Sequence, residues 1–243
     1  MCHPWLAAGV AGFLGVVITR EIVPVLRRGD VAASPDQGLL GAGLRAWFRE
    51  RIDPLVDALL AAGIRADWVT AVQLAISVLC GAAYAYGWLF TGGWLLLTGG
   101  TFDVLDGSMA RKRGAASARG AFVDSVVDRY GECAVFLGLA AYFRDGWTLW
   151  AVLAAAFGAF MVSYTRARGE GLGVACAIGL LQRPERYVII GIGSLIGSLA
   201  AHLTCAPAAA YGVLVVGILA VAVLANVTAL QRAAAIVRHL ALA

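Results

Sequence analysis

The chain has 243 residues, 61% of them apolar and 14% charged, with a mean hydropathy of +0.82. Soluble domains are about a quarter charged, so this composition excludes a soluble globule, a disordered chain and a coiled coil, and it points to one integral membrane domain. The net charge of +4 comes from 19 basic and 15 acidic residues dispersed between apolar runs, which argues against a nucleic-acid-binding domain.

Crossing about 30 Å of hydrocarbon takes roughly 20 residues of helix. In chain order, the first apolar run covers 5–26, broken in its second half by Arg20, Glu21 and Pro24. A cleaved signal peptide is the competing reading. The start Met1-Cys2-His3-Pro4 has no fixed positive side chain, and no clear small-x-small site ends the run, so a retained extra N-terminal transmembrane helix is expected. Residues 27–65 are rich in Gly, Pro and charge. Within them, 44–62 puts Leu44, Trp47, Phe48, Ile52, Leu55, Val56, Leu59 and Leu60 near helical spacing, with Arg45, Arg49, Arg51, Asp53 and Asp57 elsewhere around the wheel. Such a helix lies along the membrane surface.

Six further spans follow, at 69–90, 92–112, 120–143, 147–167, 186–204 and 207–230. Asp67 stands ready as N-cap of the first of them. The predicted fold is therefore an all-α six-helix transmembrane bundle with an interfacial amphipathic helix. Its divisions are 1–43, a transmembrane helix and linker; 44–232, the membrane domain; and 233–243, a C-terminal tail. Basic clusters at 20–65, 111–119, 166–186 and 232–238 alternate with loops near 90, 144 and 205 that carry only Arg144. By the positive-inside rule the basic regions face the cytoplasm, which predicts a multi-pass protein of the cell (inner) membrane. Five scattered cysteines, with no CxxC and no Cys/His cluster, give neither a disulfide framework nor a zinc site.

Chemistry concentrates at one cytoplasmic border. Asp103, Asp106, Gly107 and Ala110 stand at i, i+3, i+4 and i+7 of one predicted helix, and Gly120, Asp124 and Asp128 at i, i+4 and i+8 of the next. Each set is one helix face. The basic loop between them makes an antiparallel hairpin whose acidic faces can meet, and the small residues leave room for a ligand. Each Asp in a membrane helix costs about 2.5–3.5 kcal/mol on insertion scales, and four cost on the order of 10 kcal/mol. Ion pairs with Arg111, Arg119 and Arg129, or a proton or cation pathway, would relieve part of this. Two hard divalent cations, Mg²⁺ or Mn²⁺, relieve it better, because they take carboxylate oxygens and share the rest of their shell with phosphates. Such a pair would grip a pyrophosphate and stabilise a leaving phosphate.

The pattern Asp-x2-Asp-Gly-x2-Ala-Arg-x8-Gly-x3-Asp-x3-Asp, from Asp103 to Asp128, resembles at every fixed position the signature of the CDP-alcohol phosphotransferases. The resemblance covers roughly 44–232. It implies transfer of a phosphoryl-linked group from a CDP-alcohol to an acceptor hydroxyl with release of CMP. It also implies two divalent metals on Asp103, Asp106, Asp124 and Asp128, with Asp128 as general base as well, and a CDP site lined by Gly107, Ala110, Arg111 and Gly120. A homodimer is implied on the same ground. The segments Tyr164-Thr165-Arg166-Ala167-Arg168 and Arg183-Pro184-Glu185-Arg186 look like those of the phosphatidylinositol-phosphate synthase branch, in which basic residues hold the phosphate of inositol phosphate.

Independently of any family, Arg166, Arg168, Arg183 and Arg186 bracket one cytoplasmic loop, and arginine forks suit a phosphomonoester. Anchoring helix ends to anionic lipid heads is the competing role, and Glu170 and Glu185 are candidate partners for some of these arginines. The expected reaction moves phosphatidyl from CDP-diacylglycerol, out of the lipid bilayer, to a phosphorylated polyol, foremost inositol phosphate. Glycerol phosphate, serine or another alcohol as acceptor, and CDP-inositol as donor, are alternatives in the same class. A cation-coupled transporter and a silent scaffold are the rivals from other classes, and neither would release CMP.

Overall fold

The computed structural model describes residues 38–114 and 117–242. The expected first span at 5–26 lies outside the described residues. Seven helices and no strands occur among the described residues: α1 Gly41–Ala61, α2 Ala66–Ala85, α3 Leu89–Lys112, α4 Ala118–Tyr142, α5 Thr148–Glu170, α6 Arg183–Thr204 and α7 Pro207–Leu242. The hydrophobic runs set these bounds to within a few residues, because each helix stops where chain polarity, glycine or proline ends the run. Two differences are instructive. The segment expected as a tail continues α7, which at 36 residues is on the order of 54 Å long, well beyond the ~30 Å of a bilayer core. And Asp67 is not the cap of α2. Arg65 holds that position without a side-chain cap bond, and Asp67 sits in the first turn, 3.0 Å from Arg65, where the helix dipole favours a carboxylate.

The packing closes a ring: α4 lies on α2, α2 on α3, α3 on α6, α6 on α7, α7 on α5 and α5 back on α4. Tyr84, Leu96, Leu139, Val152, Ile190 and Leu214 are among the buried residues of the shared core. The outside is apolar too: Val78, Trp94, Leu137, Phe157, Ile196 and Val216 are exposed. A bilayer solvates such a surface, whereas water does not. Four helices, α2, α5, α6 and α7, are long and apolar enough to cross a membrane. α3 and α4 match them in length, at 24 and 25 residues, but carry the aspartates and most of the hairpin's basic residues.

α1 lies against α3. Its Ile52 and Val56 are buried with Val69, Leu105 and Met109, while Leu44, Trp47 and Leu55 stay exposed. Lys112, the last residue of α3, reaches both Asp53 (3.0 Å) and Asp57 (2.7 Å) of α1. The amphipathic helix is thus fastened to the C-terminal part of α3, on Leu105 and Met109 and at Lys112.

Candidate active site

The hairpin between α3 and α4 is made by two local devices. Gly114 takes φ +61° just past the end of α3, a conformation that glycine adopts without a Cβ penalty. Ser117 then caps α4, accepting from the Gly120 amide at 3.1 Å. The two helices run back antiparallel, and their acidic faces meet as expected. One oxygen from each of Asp103, Asp106 and Asp124 lies within 4.8 Å of the others.

Asp128 does not join that trio. Its Oδ1 accepts from Gln73 Nε2 at 3.0 Å and pairs with the Arg183 guanidinium, while its Oδ2 faces Arg129 Nη2 at 3.8 Å. Arg183 also donates to Asp103 at 2.7 Å and to the Tyr187 hydroxyl at 3.1 Å. One guanidinium therefore ties the fourth aspartate to the first. Of the three arginines weighed as alternative ion-pair partners, Arg129 alone faces an aspartate: among the described residues neither Arg111 nor Arg119 pairs with one, and Arg111 instead donates to Ser108 at 3.1 Å.

The trio fits a hard cation. Thr70 donates to Asp106 Oδ2 at 2.7 Å, which orients that carboxylate, and Asp124 Oδ1 is buried with no hydrogen-bond partner among the described residues. An orphaned carboxylate oxygen beside two further carboxylates is costly unless a cation takes it. Gly107, Ala110, Arg111 and Gly120 flank the trio along the hairpin. A side chain at Gly107 would bring its Cβ to 3.2 Å from the Arg111 guanidinium, so the glycine leaves room for that arginine.

The acceptor arginines are distributed unevenly. Arg166 is exposed and pairs with Glu170 at 2.9 Å, and Arg168 is exposed. Arg186 is 1% exposed. Its Nε and Nη2 both donate to Glu132 Oε1, at 2.8 and 2.6 Å, while its Nη1 has no partner among the described residues. Glu185 pairs with Arg45 of α1 and not with these arginines.

Several residues of this neighbourhood escape sequence reasoning. Thr70 and Gln73 fall inside the apolar span 69–90, whose length alone gives its polar residues no role. Glu132, one turn beyond Asp128, continues the same face. Arg232 lies just past the last predicted span; it is 3% exposed and donates to the Ile178 and Val162 carbonyls at 2.7 and 2.8 Å. Arg166 and Arg186 are close enough to act on its charge. The signal in the sequence is only that each is a polar residue within or beside an apolar run.

The family model described as CDP-alcohol phosphatidyltransferase matches residues 63–241. The archaetidylinositol phosphate synthase of Methanothermobacter thermautotrophicus is 41% identical over 156 residues, covering 64% of this chain and 77% of that protein. The phosphatidylinositol phosphate synthase of Cutibacterium acnes is 38% identical over 151 residues, covering 60% and 72%. Among solved structures, Mycobacterium tuberculosis phosphatidylinositol phosphate synthase with CDP-DAG bound superimposes with a TM-score of 0.66 at 31% identity, over 75% of this chain and 92% of that one. The same enzyme in complex with manganese and citrate gives 0.65 at 30% identity, over 75% and 87%.

Proposed function

The chain belongs to the CDP-alcohol phosphatidyltransferase family, and from that premise we propose that it transfers the phosphatidyl group of CDP-diacylglycerol, or of an analogous CDP-lipid, to inositol phosphate with release of CMP. The carrying observation is the division of four aspartates into a trio of converging oxygens and a fourth held apart by Arg183 and Gln73. The trio suits a divalent cation, Mg²⁺ or Mn²⁺, and with Asp128 the set can hold two. Bound there, the metals supply charge neutralisation to the diphosphate. Asp128 takes the proton of the acceptor hydroxyl. The freed oxygen bonds to the phosphorus bearing the lipid, and the bond from that phosphorus to CMP breaks.

In this reading the acceptor phosphate falls to basic groups carried by three helices: Arg166 and Arg168 of α5, Arg183 and Arg186 of α6, and Arg232 of α7. The partnerless Nη1 of buried Arg186 supports this reading, since a buried guanidinium donor is costly until an anion takes it. Gly107, Ala110, Arg111 and Gly120 line the nucleotide side. For the lipid, an apolar groove of ≈ 560 Å³ lies between α1, α2 and α3, walled by Leu55, Leu59, Trp68, Val72, Phe102 and Leu105. It is next in sequence to Asp103 and Asp106 and suits an acyl or isoprenoid chain.

We read α3 and α4 as spans as well, giving six spans in a unit of residues 44–232. In this reading the active site faces the cytoplasm of the inner membrane and the enzyme is a homodimer. The test is CMP release by the purified protein from CDP-diacylglycerol with Mn²⁺ or Mg²⁺, supplying inositol phosphate, glycerol phosphate, inositol and serine separately, with Asp128→Asn as the blank. CMP with inositol phosphate alone is the expected outcome. CMP with glycerol phosphate or serine alone would move the enzyme to another branch, and no CMP from folded protein with any acceptor would overturn the proposal.

A further inference from the structure

α2 is apolar along most of its length, yet it presents one polar stripe, Thr70, Gln73 and Ser77, at i, i+3 and i+7. All three are buried. Thr70 serves the aspartate helix on one side, donating to Asp106. Gln73 serves the other, donating from Nε2 to Asp128 Oδ1 at 3.0 Å. Ser77 donates back to the Gln73 carbonyl at 3.0 Å, so this turn of α2 is itself tied down.

Gln73 is 1% exposed, and its Oε1 is buried with no partner among the described residues. A membrane helix gains nothing in stability from a half-satisfied amide, because the orphaned carbonyl loses its solvation without compensation. Methionine would fill the same space without that loss. What the amide supplies is a donor aimed at Asp128.

We infer that Gln73 is a positioning residue for the transfer reaction, holding one oxygen of Asp128 so that the other is presented to the acceptor hydroxyl. The inference rests on the base role proposed above for Asp128. Two donors, Gln73 and Arg183, converge on Oδ1, while Oδ2 accepts no hydrogen bond among the described residues and has only Arg129 at 3.8 Å. The carboxylate is thereby asymmetric. Oδ1 is the anchored atom, and Oδ2 is the atom that can receive a proton. Arg183 cannot fix this geometry alone, because it also bonds Asp103 and Tyr187. Gln73 comes from a third helix and closes the remaining rotation about the Asp128 side chain. Losing such a supporting donor costs roughly 10–100-fold in activity.

The test compares the parent with Gln73→Met and Gln73→Asn in CMP release, with kcat and KM determined for the CDP-lipid, alongside thermal unfolding in the same detergent. Met keeps length and volume but has no donor; Asn keeps the donor but is one methylene short. The expected result for Met is a kcat lower by about 10–100-fold, with KM for the CDP-lipid within about threefold of the parent and a Tm equal to or above it. Asn should also lose kcat, which keeps the inference testable if the Met variant does not fold. A full kcat in either variant overturns it, as does a loss of kcat that only accompanies a lowered Tm. A parent that releases no CMP with any acceptor would instead overturn the reading of the reaction, and this inference with it.

Discussion

Glu132 shows how much a single buried charge can carry. It is 1% exposed and holds Arg186 through two bonds to one oxygen, while its other oxygen accepts from Arg129 at 3.2 Å. Arg129 in turn donates to Ser163 of α5, so the carboxylate joins three helices. Desolvating such a pair costs nearly what the attraction returns, but removing one partner strands the other. Glu132→Ala should therefore lower stability by about 3–5 kcal/mol, read as denaturant unfolding in detergent, and should raise the acceptor KM by releasing Arg186. The aspartates themselves were legible in the sequence because ionisable residues in apolar helices at i, i+3 and i+4 have few alternative explanations. Their partners were not. Nothing in the spacing says that Arg183, 55 positions beyond Asp128 in sequence, is the cation that meets it.

At the scale of elements, the crossing of α2 and α4 places the site. A Cβ at Gly138 would collide with the backbone of Gly81, and one at Gly81 with the Ala134 carbonyl. The helices therefore touch backbone to backbone, as small residues permit in membrane packing. Two turns away, that contact leaves Gln73 within a hydrogen bond of Asp128. Gly138→Val should force the pair apart and cost roughly 1–3 kcal/mol, the usual penalty of overpacking. Because the separation propagates to Gln73, activity should fall as well, which CMP release from the folded fraction would show. Helical spacing located α1, and apolar run length located the six helices that follow it, apart from the C-terminal end of α7. The cap of α2 differs from the expected one because Asp67 is a good cap in isolation, whereas in place it answers Arg65.

Over the whole molecule, the ring of six helices puts α3 and α4 on either side of α2, and α6 and α5 on either side of α7. The aspartate hairpin and the basic loop thus belong to opposite halves and meet across the α3–α6 and α4–α5 contacts. Arg232 and the cluster of Val174, Cys176, Ile178, Ala235 and Ile236 fasten the basic loop to the extended α7, which explains why that helix continues beyond a bilayer's thickness. A cation bound by Asp103 and Asp106 of α3 and Asp124 of α4 would cross-link two helices. Mn²⁺ at 100 times its Kd should then stabilise the fold by about 2.7 kcal/mol. Thermal unfolding with Mn²⁺, and after EDTA, would show that shift, and Asp124→Asn should abolish most of it.

The sequence by itself determined that the chain is a membrane protein of helices, where those helices run, and which four carboxylates gather at one border. These follow from local pattern: hydrophobic length, helical periodicity and the insertion cost of charge. Only the tertiary structure decided that the four aspartates divide into three and one, that Arg183 and Gln73 take the fourth, that Arg186 is bound by Glu132, and that Arg232 belongs beside the basic loop. The physical reason is that a side chain's partner across a bundle depends on helix rotation and crossing. Those are fixed by contacts between residues far apart in sequence, and no local period encodes them.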